Sequence, residues 1–132
     1  MAENEKQNKQ LLLVDYDEFL IDLYSRKFAE AGFDVAAIRS AAEALGKLRE
    51  GYAPAVILLD LVMPTLGGIE FLHAMRDERL AHDAVVIVLS NQSDELRIEE
   101  AKKLGAKGYI IKANAVPSEV LEQVRAFASS TH

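Results

Sequence analysis

The chain has 132 residues, no cysteine and a net charge of −6. That length holds one core and no second domain of similar size; the missing thiols exclude disulfides, thiol catalysis and thiolate metal sites. The acidic balance without a basic stripe argues against direct nucleic-acid binding, and no apolar stretch is long enough to span a bilayer.

Residues 1–9 are polar and unlike a signal sequence, so they read as a disordered leader on a cytoplasmic protein. Alternating strand and helix patterns fill 10–129, and 130–132 reads as a tail. The first apolar run, Leu11-Leu12-Leu13-Val14, ends in Asp15. A helix opens near Asp17 and is expected to bury Phe19, Leu20, Leu23, Tyr24 and Phe28 before stopping at Gly32, which is placed for a left-handed cap. A short strand, Val35 to Ile38, follows. Ser40-Ala41-Ala42-Glu43 has the form of a capping box, opening a second helix with Ala44, Leu45 and Leu48 inward until Gly51. The third strand, Ala55-Val56-Ile57-Leu58-Leu59, ends in Asp60. Pro64 and the Gly67-Gly68 pair turn the chain into a third helix striped by Ile69, Leu72 and Met75. Val85-Val86-Ile87-Val88-Leu89 ends in Ser90. A fourth helix, about Asp94 to Leu104, carries the dense charge of a solvated face and stops at Gly105. Tyr109-Ile110-Ile111 ends in Lys112, and Pro117 opens a fifth helix with Val120, Leu121, Val124 and Phe127 inward.

The strands are near-continuously apolar, as in a parallel sheet covered on both faces. Five β-then-α units predict an α/β fold with one doubly wound sheet, for which right-handed crossovers leave few topologies. The flavodoxin-like order 2-1-3-4-5 places strands one and three at its switch point, where ligands bind beyond the carboxyl ends. Asp15 and Asp60 end those two strands. Four strands thus deliver two acids, a hydroxyl and an amine to one rim. Two carboxylates can hold a hard divalent cation while a hydroxyl and an ammonium contact phosphoryl oxygens, so the implied chemistry is phosphoryl transfer onto Asp60.

From Leu11 to Ala128 the chain resembles a response-regulator receiver domain, a stand-alone CheY-like one. The resemblance rests on Leu12-Leu13-Val14-Asp15, Leu58-Leu59-Asp60 with Met63-Pro64 and Gly68, Val88-Leu89-Ser90, and Gly105-Ala106-Lys107-Gly108-Tyr109-Ile110-Ile111-Lys112. It implies that Asp60 accepts a phosphoryl group from a sensor histidine kinase or phosphotransfer protein. It further implies that Asp15, Asp60 and the main-chain carbonyl of Val62 hold Mg2+. Ser90 is matched to the hydroxyl that moves to the phosphoryl group, Lys112 to the amine that pairs with the acceptor, and Tyr109 to the aromatic switch. The implied output is a downstream protein bound on the face of the fourth helix, fifth strand and fifth helix. The protein is expected to be a monomer or a phosphorylation-dependent dimer, without an output domain, and no enzyme beyond metal-assisted self-phosphorylation and self-dephosphorylation.

Two positions depart from the family's pattern. Asp15-Tyr16-Asp17 has a phenol where the family has a second acid, and a neutral phenol is no hard-metal ligand at pH 7, so Mg2+ binding is expected to be weak. Asp17 is the nearest substitute, but its position suits the N-cap of the first helix. After Lys112 the family commonly has a proline with a cis bond and this chain has Ala113; a non-proline cis bond costs about 3 kcal/mol, so trans is expected. Val116 is not a polar cap, so the loop Ala113-Asn114-Ala115-Val116 is expected to be set by packing.

The alternative reading is a phosphorylation-impaired, receiver-like interaction module with Tyr16 occupying the metal pocket. His73, three residues from Glu70, reads as a surface histidine, since no further ligand accompanies it. No GxGxxG, GxxxxGK[ST] or G-x-S-x-G occurs, which leaves a nucleotide binder or serine hydrolase unsupported.

Overall fold

The computed structural model describes residues 8–129. Strands β1 (Gln10–Val14), β2 (Asp34–Ile38), β3 (Val56–Leu59), β4 (Val85–Ser90) and β5 (Gly108–Ile111) form one sheet in the order β2-β1-β3-β4-β5. Every pairing is parallel. Helices α1 (Glu18–Glu30), α2 (Ala41–Arg49), α3 (Gly68–Glu78), α4 (Glu95–Lys103) and α5 (Pro117–Ser129) connect and follow them. The expected doubly wound α/β architecture is the one found.

Alternation along the strands sends neighbouring residues to opposite faces. Leu11, Leu13, Val56, Leu58, Ile87 and Leu89 lie under α1 and α5 against Tyr24, Phe28, Val120 and Val124. Leu12, Val14, Ile57, Leu59, Val86 and Val88 face α2, α3 and α4 against Leu45, Leu48, Phe71, Leu72 and Ala101. Two covered faces explain the unbroken apolar runs. Each fully buried Leu, Ile or Val is worth roughly 1.5–3 kcal/mol, so slipping the register by one residue would exchange both faces at once. The register pairs Val14 with Leu59, Leu59 with Val88 and Val88 with Tyr109. The residues one step beyond the ends of β1 and β3 are Asp15 and Asp60, and the Asp60 N–H still donates to Val14 O at 3.0 Å.

Helix α1 corrects an expectation. Tyr24 and Phe28 are buried, but Phe19 is 73% exposed and Leu23 sits at the surface. The helix starts at Glu18, and its inward line runs through Leu20, Tyr24 and Phe28 at intervals of one turn, so Phe19 and Leu23 lie about 100° away. In α3 the inward stripe is Phe71, Leu72 and Met75, with Ile69 only partly buried. Asp17 does cap α1, its Oδ1 accepting from the N–H of Phe19 (2.9 Å) and Leu20 (3.2 Å). Ser40 caps α2 by accepting from Glu43 N–H at 3.1 Å.

Two turns set the loop after Asp60. Leu66 N–H donates to Pro64 O at 2.7 Å around Thr65, whose φ is 70°; this is a γ-turn, a strained conformation for a β-branched residue. Gly68 then lets α3 start against the sheet, because a Cβ there would stand 2.6 Å from Asp60 O. The loop before α5 is not set by packing alone. Lys112–Asn114 forms a 3₁₀ turn, Asn91 Oδ1 accepts from Ala113 N–H (2.9 Å), and Glu119 reaches back to accept from Val116 N–H (3.0 Å). The Lys112–Ala113 bond is trans, as expected. Residues 1–7 of the expected leader and the tail 130–132 lie outside the described residues. Asn8 Nδ2 donates to Ala53 O (2.9 Å) in the loop before β3, and Lys9 O accepts from Asp34 N–H (2.8 Å) at the start of β2, so these two residues are tied to the fold.

Candidate functional site

Asp15 and Asp60 are 2% and 8% exposed, both at strand ends where burial is normally reserved for apolar groups. They tolerate it because Lys112, arriving from the end of β5, places Nζ 2.9 Å from Asp15 Oδ2 and 3.0 Å from Asp60 Oδ2. The other oxygens are used locally: Asp15 Oδ1 accepts from Asp17 N–H (2.9 Å) and Asp60 Oδ1 from Val62 N–H (3.2 Å). One ammonium therefore serves two carboxylates in a site that carries one net negative charge.

Burial is the main influence on Asp15 and holds its carboxyl above the ordinary range; the Asp17 N–H and Lys112 oppose it, while the charge of Asp60 adds to it. Burial also disfavours the Lys112 ammonium, but hydrogen bonds and charges from both aspartates outweigh it and its pKa is raised. The two shifts are compatible. Lysine has two opposite charges beside it, whereas Asp15 has one opposite and one like charge.

Ser90, fully buried at the end of β4, accepts from Gln92 N–H at 3.3 Å. Tyr109, partly buried on β5, donates to Gln92 O at 2.6 Å. Burial first, then the charges of Asp94 and Asp60, raise the Tyr109 pKa, which keeps the phenol a donor. Ser90 and Tyr109 thus grip one residue, Gln92, from its two main-chain ends. Val62 is 57% exposed.

Tyr16 does not fill the space beside the acids: it is 52% exposed, with the Arg39 guanidinium 5.2 Å from its ring centroid. Among the described residues no group of three His, Cys, Asp or Glu is placed to hold a metal, and Asp17 is spent on the cap. Asp15 and Asp60 are the hard oxygen donors that Lys112 holds at this rim. His73 is exposed, as expected. Gln92, Asn91 and Arg39 are site neighbours that reasoning from the sequence missed. Position was the available signal: Asn91 and Gln92 directly follow the strand-ending Ser90, and Arg39 directly follows β2.

Residues 11–125 match the family described as "Response regulator receiver domain". The chain is 35% identical over 112 residues to the chemotaxis protein CheY of Halobacterium salinarum, covering 83% of this chain and 89% of that one. It is 32% identical over 119 residues to the alkaline phosphatase synthesis transcriptional regulatory protein PhoP of Bacillus subtilis, covering 90% of this chain and 48% of PhoP. The chain thus spans about half the length of PhoP and close to the whole of that CheY. Among solved structures, the receiver domain of the Francisella response regulator 1452 superposes with a TM-score of 0.82 at 28% identity, over 95% of this chain and 100% of that one. The chemotaxis protein CheY4 of Vibrio cholerae gives 0.83 at 25% identity, over 92% and 99%. No described helix is long and apolar enough to cross a membrane. The fold, the rim and the match over residues 11–125 agree, and the chain belongs to the response regulator receiver domains of two-component systems.

Proposed function

We propose that the chain is a phosphoacceptor receiver in a two-component phosphorelay, taking a phosphoryl group on Asp60 from the phosphohistidine of a sensor histidine kinase or phosphotransfer protein. The observation that carries this reading is the Lys112 ammonium held between two buried carboxylates at the strand ends. In the transfer, an Asp60 carboxylate oxygen bonds to phosphorus as the P–N bond to imidazole breaks. The bond's electron pair leaves with the imidazole, which takes a proton from solvent. Such transfers depend on positioning and charge stabilisation more than on covalent help from the protein. Lys112 keeps the acceptor in place and offers N–H donors to the incoming oxygens. Ser90, whose oxygen accepts from Gln92 N–H, still has its hydroxyl proton to donate to those oxygens.

The oxygen donors fit magnesium, which is often held by one or two carboxylates with water completing the shell. Asp15, Asp60 and the Val62 carbonyl would hold it, weakly, since Tyr16 supplies no third acid. When bound, it would neutralise charge on the transferring phosphoryl oxygens. Catalysis of its own is limited to self-phosphorylation and self-dephosphorylation. Output passes to a partner protein at the face of α4, β5 and α5, or to a second copy there, in the cytoplasm and without direct nucleic-acid contact.

Incubation with a small phosphodonor such as acetyl phosphate, followed by intact mass, tests the reading. One phosphoryl adduct is expected on the wild type with magnesium, and none on Asp60→Asn. A wild type that gains no adduct would favour the interaction-module alternative instead.

A further inference from the structure

Tyr16 stands between two residues with fixed tasks. Asp15 Oδ1 accepts from Asp17 N–H at 2.9 Å, and Asp17 caps α1, so the β1–α1 turn is tight and Tyr16 sits at its crest. What holds Tyr16 comes from β2. Arg39 Nε–H donates to the Tyr16 carbonyl at 3.1 Å, its guanidinium lies over the Tyr16 ring at 5.2 Å, and Nη1 is 3.9 Å from Glu18 Oε1. The contacts of Arg39 are with the Tyr16 main chain, the Tyr16 ring and Glu18 at the start of α1.

An aromatic side chain next to Asp15 has three staggered χ1 wells. Stacking under a guanidinium favours the well that turns the ring out. Without that contact the ring is free to leave this well.

We propose that Arg39 is a positioning residue that latches Tyr16 outward and so keeps the rim of Asp15, Asp60 and Lys112 open to a phosphodonor. The latch accommodates a bulky ring directly after Asp15. Its effect on rate rests on the phosphoacceptor reading; its effect on the ring does not.

The test uses the full chain with Arg39→Ala, Arg39→Lys and the double variant Arg39→Ala/Tyr16→Ala. Losing the stacking contact should shift the outward-to-inward ratio of the ring about fivefold, so acetyl phosphate should modify Asp60 measurably more slowly in Arg39→Ala, by less than that fivefold. Arg39→Lys, which keeps a cation but loses the planar fork, should fall between. The double variant should recover most of the wild-type rate, which a merely structural role for Arg39 would not allow. Arg39→Ala reacting at the wild-type rate, or a double variant as slow as the single one, overturns the proposal. In the unphosphorylated proteins, nuclear Overhauser contacts from the Tyr16 ring to the Lys112 side chain should appear in Arg39→Ala and be absent in the wild type. If the wild type accepts no phosphate, the phosphoacceptor reading fails and this measurement alone judges the latch: identical ring contacts in both proteins refute it.

Discussion

At Lys112, one ammonium answers two carboxylates that are otherwise cut off from water. Removing it with Lys112→Met would leave two like charges buried together, and orphaning a buried charge typically costs about 3 kcal/mol or more. The cost should be largest near neutral pH and shrink in acid, because protonation relieves the unpaired carboxylates. Urea unfolding of the variant and wild type at pH 7.5 and pH 5 checks this; an equal loss at both would show that packing, not charge, is Lys112's contribution. In the wild type the linkage has two signs. The Lys112 pKa is raised, so its contribution is fully present below the ordinary lysine range and is lost as pH rises through the folded value. The Asp15 pKa is also raised, so the folded state takes up its proton first on acidification. Stability from this one group therefore increases as pH falls through that raised value towards the ordinary carboxylate range. Directly after Asp15, Tyr16→Asp adds a hard oxygen and should tighten magnesium binding by about tenfold, equivalent to ~1.4 kcal/mol. Arg39 would compete for the new carboxylate, so the gain should be larger when Arg39→Ala is combined with it. Magnesium titrations followed by thermal melting read both; equal affinity in the wild type and Tyr16→Asp would mean that two carboxylates and water already complete the site.

Among the elements, glycines separate what is required from what is tolerated. Gly46 lies inside α2, and a Cβ there would meet nothing within 4 Å, so Gly46→Ala should stabilise by about 0.5–1 kcal/mol. Gly68 opens α3 with its Cα against the Asp60–Leu61 main chain, so Gly68→Ala should cost roughly 1–3 kcal/mol and displace Asp60. Thermal melts of the two variants should therefore move in opposite directions, and a common direction would contradict the packing account. The sequence made Gly68 legible as a turn residue but not as a contact with Asp60, since that approach is set by how α3 lies on the sheet. Strands were legible because burial on both faces leaves little room for polar residues. The inward face of α1 was less so: Phe19 and Leu23 are as apolar as Tyr24 and Phe28, and only the helix's rotation distinguishes them. At α5 the missing polar N-cap misled, because Glu119, inside the helix, satisfies Val116 N–H from the other side.

Across the whole molecule, the rim was readable because four strands each end in a reactive residue and parallel registration brings those ends together. What joins the rim to the surface was not readable, because it runs through a loop residue. Gln92 is held at its N–H by Ser90 and at its carbonyl by Tyr109, so a demand on the Ser90 hydroxyl changes one of two grips on the same peptide segment. A phosphoryl group on Asp60 would make that demand: moving the Ser90 oxygen so that its proton reaches the new acceptor oxygens would stretch the 3.3 Å bond it accepts from Gln92 N–H and loosen the Gln92 main chain. Tyr109 then loses a fixed acceptor, and its partly buried ring is free to move at the edge of β5, beside α4. Ser90→Ala removes the first grip before any phosphorylation. It should weaken the constraint on Gln92 in the resting state and slow phosphorylation modestly, since Lys112 remains. Above all, it should break the correspondence between modification of Asp60 and the Tyr109 ring signals. Nuclear magnetic resonance of the tyrosine rings, recorded before and after treatment with a phosphodonor, measures that correspondence directly. Tyr109 signals that shift in Ser90→Ala as they do in the wild type would mean that phosphorylation reaches the ring without passing through Ser90 and Gln92.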